Sequence, residues 1–215
     1  KAVGDEPVLL ARSTQASVIA GKDRIRATEK LIEESVDYII HDDGLDHLRL
    51  GRKMEIIVSK KKTFANTISD NLSFCKLLPS GPWRTLHSLR TSNAVKDFID
   101  IEYDTFQIIH PLKGFKIPIE DYTEKNIHLV LGIALPHIIK SELIEKGYTV
   151  DCNFYDDHHD FNGSEIIFND NNPVFVTMKD YIKLEKYQNQ NLWILNHRNK
   201  NEKTINNLID QITKI

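Results

Sequence analysis

The 215-residue chain is 40% hydrophobic and 27% charged with a net charge of −3, the balance of a globular protein with one large or two small domains. That charge excludes an electrostatic drive toward nucleic acid, and the three lysines at 60–62 read as a solvated loop. No apolar run is long enough to cross a bilayer and no signal peptide is visible. The two distant cysteines, Cys75 and Cys152, fit a reducing compartment and have no metal-ligand spacing.

Motif-like sequence starts almost at once, with Val3-Gly4-Asp5-Glu6-Pro7 behind a first residue that is not Met. The chain therefore reads as a piece of a longer protein. Asp5-Glu6-Pro7 ahead of Val8-Leu9-Leu10 predicts a helix start, with Asp5 as cap, Glu6 at the positive end and Pro7 in the first turn. Residues 17–20 predict a short strand and residues 23–35 a helix with Ile25, Leu31 and Ile32 on one side. The apolar run Val36, Tyr38, Ile39, Ile40 predicts a buried strand ending at Asp42-Asp43-Gly44, and residues 54–58 predict another. Strand, helix and strand in that order imply a right-handed crossover in a parallel sheet. Residues 60–92 are polar and irregular, broken by Pro79, Gly81 and Pro82. Beyond residue 100 come strands at 105–110, 126–134, 149–154, 174–177 and 192–195. A helix at 136–146 closes at Gly147, and an amphipathic helix covers 201–215. The class is α/β, with a domain boundary near residue 100.

Several clusters can carry chemistry. In an open α/β sheet ligands bind beyond the carboxyl ends of the strands, where the paired carboxylates Asp42 and Asp43 would suit Mg²⁺. The same Asp-Gly sequence is also a turn signal. Arg24, after Asp23 at a helix start, either reaches toward phosphate or is solvated surface. Arg84 closes the Pro-Ser-Gly-Pro loop. Asp156-Asp157-His158-His159-Asp160 is an exposed loop, a divalent-metal site or a carboxylate–imidazole pair for proton transfer.

Taken in order, these pieces resemble the tetraacyldisaccharide 4′-kinase (lipid A 4′-kinase) family. The matching residues include Gly4-Asp5-Glu6-Pro7, Asp23-Arg24, Asp42-Asp43-Gly44-Leu45 with His47, Arg49 and Arg52, and Glu55-Ile56-Ile57-Val58. Leu77-Leu78-Pro79 with Gly81-Pro82 and Arg84 follows, then Gly132-Ile133-Ala134, Asp157-His158-His159 with Phe161, and Thr177 with Lys179-Asp180. The resemblance implies a P-loop NTPase-like parallel sheet over residues 1–100, incomplete because the phosphate loop is missing, and a smaller C-terminal α/β domain over 101–215. It implies transfer of the γ-phosphoryl of ATP to the 4′-hydroxyl of a lipid A disaccharide 1-phosphate. Asp42 and Asp43 would serve the Mg²⁺–ATP site, Asp5 would take the proton from the attacking hydroxyl, and His158 would support Asp5. Arg24 and Arg84 would hold phosphate groups. A monomer is expected, in the cytoplasm or peripherally attached at the cytoplasmic face of the inner membrane.

The chain also departs from the family. No G-x-x-x-x-G-K-[ST] occurs in it. Asp46 replaces a usual Gln, Leu48 an aromatic residue and Thr85 a Glu, Met178 interrupts Thr-Glu-Lys-Asp, and extra residues lie between Asn66 and Leu77. The alternative reading is a truncated or degenerate relative that binds the lipid saccharide without phosphorylating it. A phospho-accepting signalling domain fits poorly, because Thr177 and Lys179 should then follow different strands.

Overall fold

The computed structural model describes residues 4–44, 47, 49–60, 95–101, 103–200 and 202–214. Arg84, its proline-rich loop and the extra residues after Asn66 lie outside the described residues. The chain divides into two compact units, one of Lys1–Asp37 with Asp104–Arg198 and one of Tyr38–Tyr103 with Asn199–Ile215. The units are thus interleaved along the sequence, whereas the sequence reading sets two domains end to end. The first unit unites the N-terminal helices with the sheet that follows residue 103.

In chain order the elements are α1 (Asp5–Ser13), α2 (Arg24–Glu33), β1 (Met54–Lys60), β2 (Val95–Ile101), β3 (Tyr103–Ile109), β4 (Lys116–Pro118) and β5 (Asn126–Leu131). They continue with α3 (Pro136–Glu145), β6 (Thr149–Phe154), β7 (Val174–Thr177), α4 (Met178–Leu184), β8 (Leu192–Asn199) and α5 (Glu202–Ile212). One sheet runs in the order β4-β3-β8-β7-β5-β6, and β1 and β2 form a separate parallel pair. Within the larger sheet β6, β5, β7 and β8 are mutually parallel, while β4 runs antiparallel to β3.

Strands β5, β7 and the first half of β8 are buried on both faces, as the middle of a sheet covered on both sides must be, while the edge strand β6 is partly exposed and carries Asp151 and Asn153. Because side chains alternate along a strand, Ile127, Leu129, Leu131, Phe175, Trp193 and Leu195 build one core layer with Ile139 and Leu143 of α3. Val130, Val174, Val176, Leu192 and Ile194 build the other with Phe161, Ile166 and Leu184. Pro136 opens α3, where its missing N–H is no loss. The helix closes with Gly147 N–H donating to Ile144 O at 2.9 Å and Tyr148 N–H to Leu143 O at 3.0 Å, the paired bonds of a glycine-terminated helix. Asp23 caps α2, its Oδ1 accepting from Ile25 N and Arg26 N at 3.1 Å.

Two predicted strands are absent. Residues 17–20 are irregular, and so are residues 36–40. Tyr38 is 52% and Ile40 83% exposed, so this apolar run is not buried and its strand propensity goes unused. The crossover inferred from those two strands falls with them. A third correction concerns Asp5. It is the first residue of α1, the cap position belongs to Gly4, and no side chain caps the helix.

Gly163 sits at φ +93°, and a Cβ there would lie 2.5 Å from the Tyr187 ring. Gly163→Ala is therefore expected to destabilise the first unit by about 1–3 kcal/mol through combined strain and overlap, read as a lowered urea midpoint.

His110 is buried, with Nε2 3.1 Å from Gln190 O and Nδ1 accepting from Lys113 N at 3.3 Å. One donor and one acceptor describe the neutral ring, and burial pushes its pKa below the ordinary value, with the Lys113 charge adding to that. The unfolded state then binds the extra proton, so stability is lost as pH falls below about 6.5 and towards the lowered folded value. The melting temperature should drop over that interval, and His110→Gln should flatten the acid slope.

Candidate active site at the carboxyl ends of three parallel strands

Strands β5, β6 and β7 run in one direction, so the segments that leave them emerge on one edge of the sheet. Backbone bonds draw these segments together. Tyr155 N–H donates to Leu131 O at 2.8 Å and His158 N–H to Gly132 O at 3.3 Å. Gly132 lets the chains approach, for a Cβ at that position would lie 3.2 Å from the Phe161 ring and 3.3 Å from Asp180 Oδ1.

The loop after β6 carries Asp157, His158 and His159. His158 holds a left-handed backbone at φ +64°, a conformation uncommon outside glycine, though less so for His than for most residues. Asp157 Oδ1 accepts from its backbone N at 3.1 Å.

Helix α4 leaves β7 through Thr177, whose Oγ1 accepts from Asp180 N at 3.2 Å and donates to Asp180 Oδ2 at 2.7 Å. The other oxygen of Asp180 accepts from Gly132 N at 3.2 Å. Asp180 is fully buried. Burial raises its pKa, opposed by the hydrogen bonds from Thr177 and Gly132 and by the charges of Lys183 and Lys179. Lys179 and Lys183 are four residues apart and share a face of the helix.

Helix α1 packs on α4 and brings Asp5 to this edge. Asp5 is buried; its Oδ2 lies 2.8 Å from Lys183 Nζ and 3.4 Å from His158 Nδ1. Lys183 also donates to His159 O at 3.0 Å. Lys179 bridges Asp157 Oδ1 at 3.0 Å and Glu6 Oε1 at 3.4 Å. The bond from Lys179 holds the Asp157 carboxyl below its usual range. For Lys179 itself burial works against the charge, but the bond and charge of Asp157, with Glu6 behind, outweigh it and raise the pKa. His159 is stacked on Tyr155 and lies 3.2 Å from Glu165 Oε1.

The structure thus sets two predicted site residues, Asp5 and His158, side by side although 153 positions separate them. Arg24 is half-buried at the start of α2 and makes no ion pair among the described residues. Sequence reasoning missed Lys183, whose Nζ lies 2.8 Å from Asp5 Oδ2, and gave no role to Asp180; the four-residue Lys179/Lys183 spacing was the available signal.

Asp42 and Asp43 belong to the other unit, on a turn with Asp43 at φ +52°. The turn reading of Asp-Gly therefore describes their backbone. Arg52 donates to Gly44 O at 3.1 Å and His47 O at 3.2 Å, and its Nε meets Glu55 Oε1 at 2.7 Å, so the turn is tied to the start of β1. Both carboxylates are exposed oxygen donors. That set fits Mg²⁺, which uses one or two carboxylates and takes its other oxygens from phosphate and water. Among the described residues no cluster of three or more His, Cys, Asp or Glu forms a self-sufficient metal cage.

A largely parallel α/β sheet with an acid, an imidazole and two ammonium groups beyond its strand ends defines the class: an open-sheet α/β protein whose polar site lies at the carboxyl edge. The chain belongs to the tetraacyldisaccharide-1-P 4′-kinase family, whose model matches residues 1–214. It is 32% identical over 203 residues to the tetraacyldisaccharide 4′-kinase of Ruthia magnifica, covering 89% of this chain and 62% of that one. The corresponding protein of Nitrosococcus oceani is 33% identical over 201 residues, covering 89% and 57%. The chain therefore spans less than two thirds of the length of these curated relatives. The crystal structure of "apo" form LpxK from Aquifex aeolicus in complex with ATP shares the fold, with a TM-score of 0.69 and 24% identity over 97% of this chain and 69% of that one.

Proposed function

We propose that the protein of which this chain is part transfers the γ-phosphoryl group of ATP to the 4′-hydroxyl of a tetraacyldisaccharide 1-phosphate in lipid A biosynthesis. The observation that carries this reading is the meeting of Asp5 and His158 at the carboxyl edge, in a chain of this family. Asp5 accepts the proton of the attacking hydroxyl, and His158 supports it as the neighbouring imidazole. Arg24 and Arg84 bind phosphate oxygens. Asp42 and Asp43 would hold Mg²⁺, which when bound offsets phosphate charge. Among the described residues no helix is long and apolar enough to cross a membrane. The acceptor is a lipid, so the protein works by peripheral contact at the cytoplasmic face of the inner membrane, as a monomer.

The test is phosphoryl transfer from radiolabelled ATP to the disaccharide 1-phosphate with Mg²⁺, run on this chain and on a full-length form. Activity that depends on the full-length form supports a kinase needing residues beyond these. Lipid binding without transfer in both forms would overturn the reading in favour of a binding module.

A further inference from the structure

Lys183 has almost no solvent: its side chain is 3% exposed, and that of its partner Asp5 10%. A buried ammonium is tolerated only where its donors find strong acceptors. Here the Asp5 carboxylate, the His159 carbonyl at 3.0 Å and the Phe161 ring at 5.9 Å surround it. The base of α4 is itself fixed, through Asp180, to Thr177 and to the backbone N–H of Gly132. The carbonyl of that same Gly132 accepts from His158 N.

The contacts close a circuit. It runs from Gly132 through Asp180 and one turn of α4 to Lys183, on to Asp5, across to His158, and back to Gly132. Apart from the turn of α4 and the His158 residue itself, each link is a hydrogen bond or ion pair between different segments, so the distance between the Asp5 carboxylate and the His158 ring is set by the fold. We propose that Lys183 is a positioning residue: it ties the Asp5 carboxylate to the loop carrying His158 and so fixes acid and imidazole against each other for proton transfer. The catalytic part of this inference rests on the proposed kinase reading; the geometric part does not.

The charged groups facing His158 are Asp5 and Glu6 of α1, Asp157 of its own loop, and Lys179 and Lys183 of α4. His158 Nε2 is 3.7 Å from Asp157 Oδ2, and Lys179 stands behind that carboxylate. Removing the Lys183 ammonium takes away the 2.8 Å tie that holds the Asp5 carboxylate beside the His158 ring. Lys183→Met in this chain should therefore weaken or abolish the nuclear Overhauser contacts between the Asp5 side chain and the His158 ring. Lys183→Arg keeps the charge and should restore those contacts. In the full-length enzyme Lys183→Met should lower kcat by about 10- to 100-fold with KM changed less than about threefold, because misplacement of a reacting group acts on the chemical step.

A Lys183→Met variant that melts earlier but keeps the wild-type Asp5–His158 contacts and kcat would overturn the proposal, leaving Lys183 a purely structural cation. If the methionine variant does not fold, Lys183→Gln gives the same comparison with a neutral donor of similar reach. A wild-type full-length protein without kinase activity would refute the kinase reading, while the NMR comparison would still decide whether Lys183 sets the pair.

Discussion

Asp5→Asn is expected to lower phosphoryl-transfer turnover in a full-length form by about 10²- to 10⁴-fold, with the KM for the disaccharide within a few-fold of wild type. The amide keeps the volume of the carboxylate but cannot take the hydroxyl proton. The same substitution leaves Lys183 buried beside a neutral group. Breaking a buried pair by neutralising one partner destabilises by about 3 kcal/mol or more, so the melting temperature should fall as well. Turnover must then be measured well below the variant's transition, where loss of the folded state does not contribute. A variant that is folded and retains wild-type kcat would remove Asp5 from the chemistry.

The second large effect is expected at Asp180. This carboxylate is fully buried and accepts from Gly132 N–H and Thr177 O–H, while Thr177 Oγ1 in turn accepts from the backbone N–H of Asp180. Asp180→Ala leaves the Gly132 donor without its partner and Thr177 without its acceptor, in a site that water does not reach. Each orphaned group costs about 1–3 kcal/mol, so a total loss of about 3–4 kcal/mol is expected in denaturant unfolding. Because α4 carries Lys183, activity should fall by more than the unfolded fraction explains. Wild-type stability in Asp180→Ala would contradict the bond network described for Gly132 and Thr177.

Much of the first unit was legible in the sequence because its central strands are short apolar runs. Residues 174–177 and 149–154 have the expected bounds, and Gly147 marks the end of α3 through ordinary cap chemistry. The reading failed at residues 17–20 and 36–40, where local β-branched composition is paired with no strand among the described residues. Propensity for a strand describes fit to a half-buried pleated surface, and whether such a surface exists is a tertiary fact. Val95–Ile101 of β2 was not anticipated as a strand either, and its parallel pairing with β1 joins residues 41 positions apart, Met54 with Val95 through Lys60 with Ile101.

At the site, Asp5 and His158 could be named through resemblance, but their meeting could not be derived from spacing. Local pattern suggested that Asp5 was a cap, since Asp before Glu-Pro at a helix start commonly is one. What displaced that reading is the packing of α1 on α4, which presents Asp5 to a buried lysine instead of to its own backbone. Lys183 was overlooked because one lysine on a helix is ordinarily solvated surface. Only the fold shows that its ammonium is enclosed.

The most direct test of the central claim, that Asp5 and His158 act together on one proton, is a double-mutant cycle on kcat in a full-length form, using Asp5→Asn, His158→Asn and the double variant. Residues that serve as a unit have non-additive effects. The account predicts that the double variant is no slower than Asp5→Asn alone, within about threefold. Independent, multiplying losses, or a folded His158→Asn variant with wild-type kcat, would contradict it.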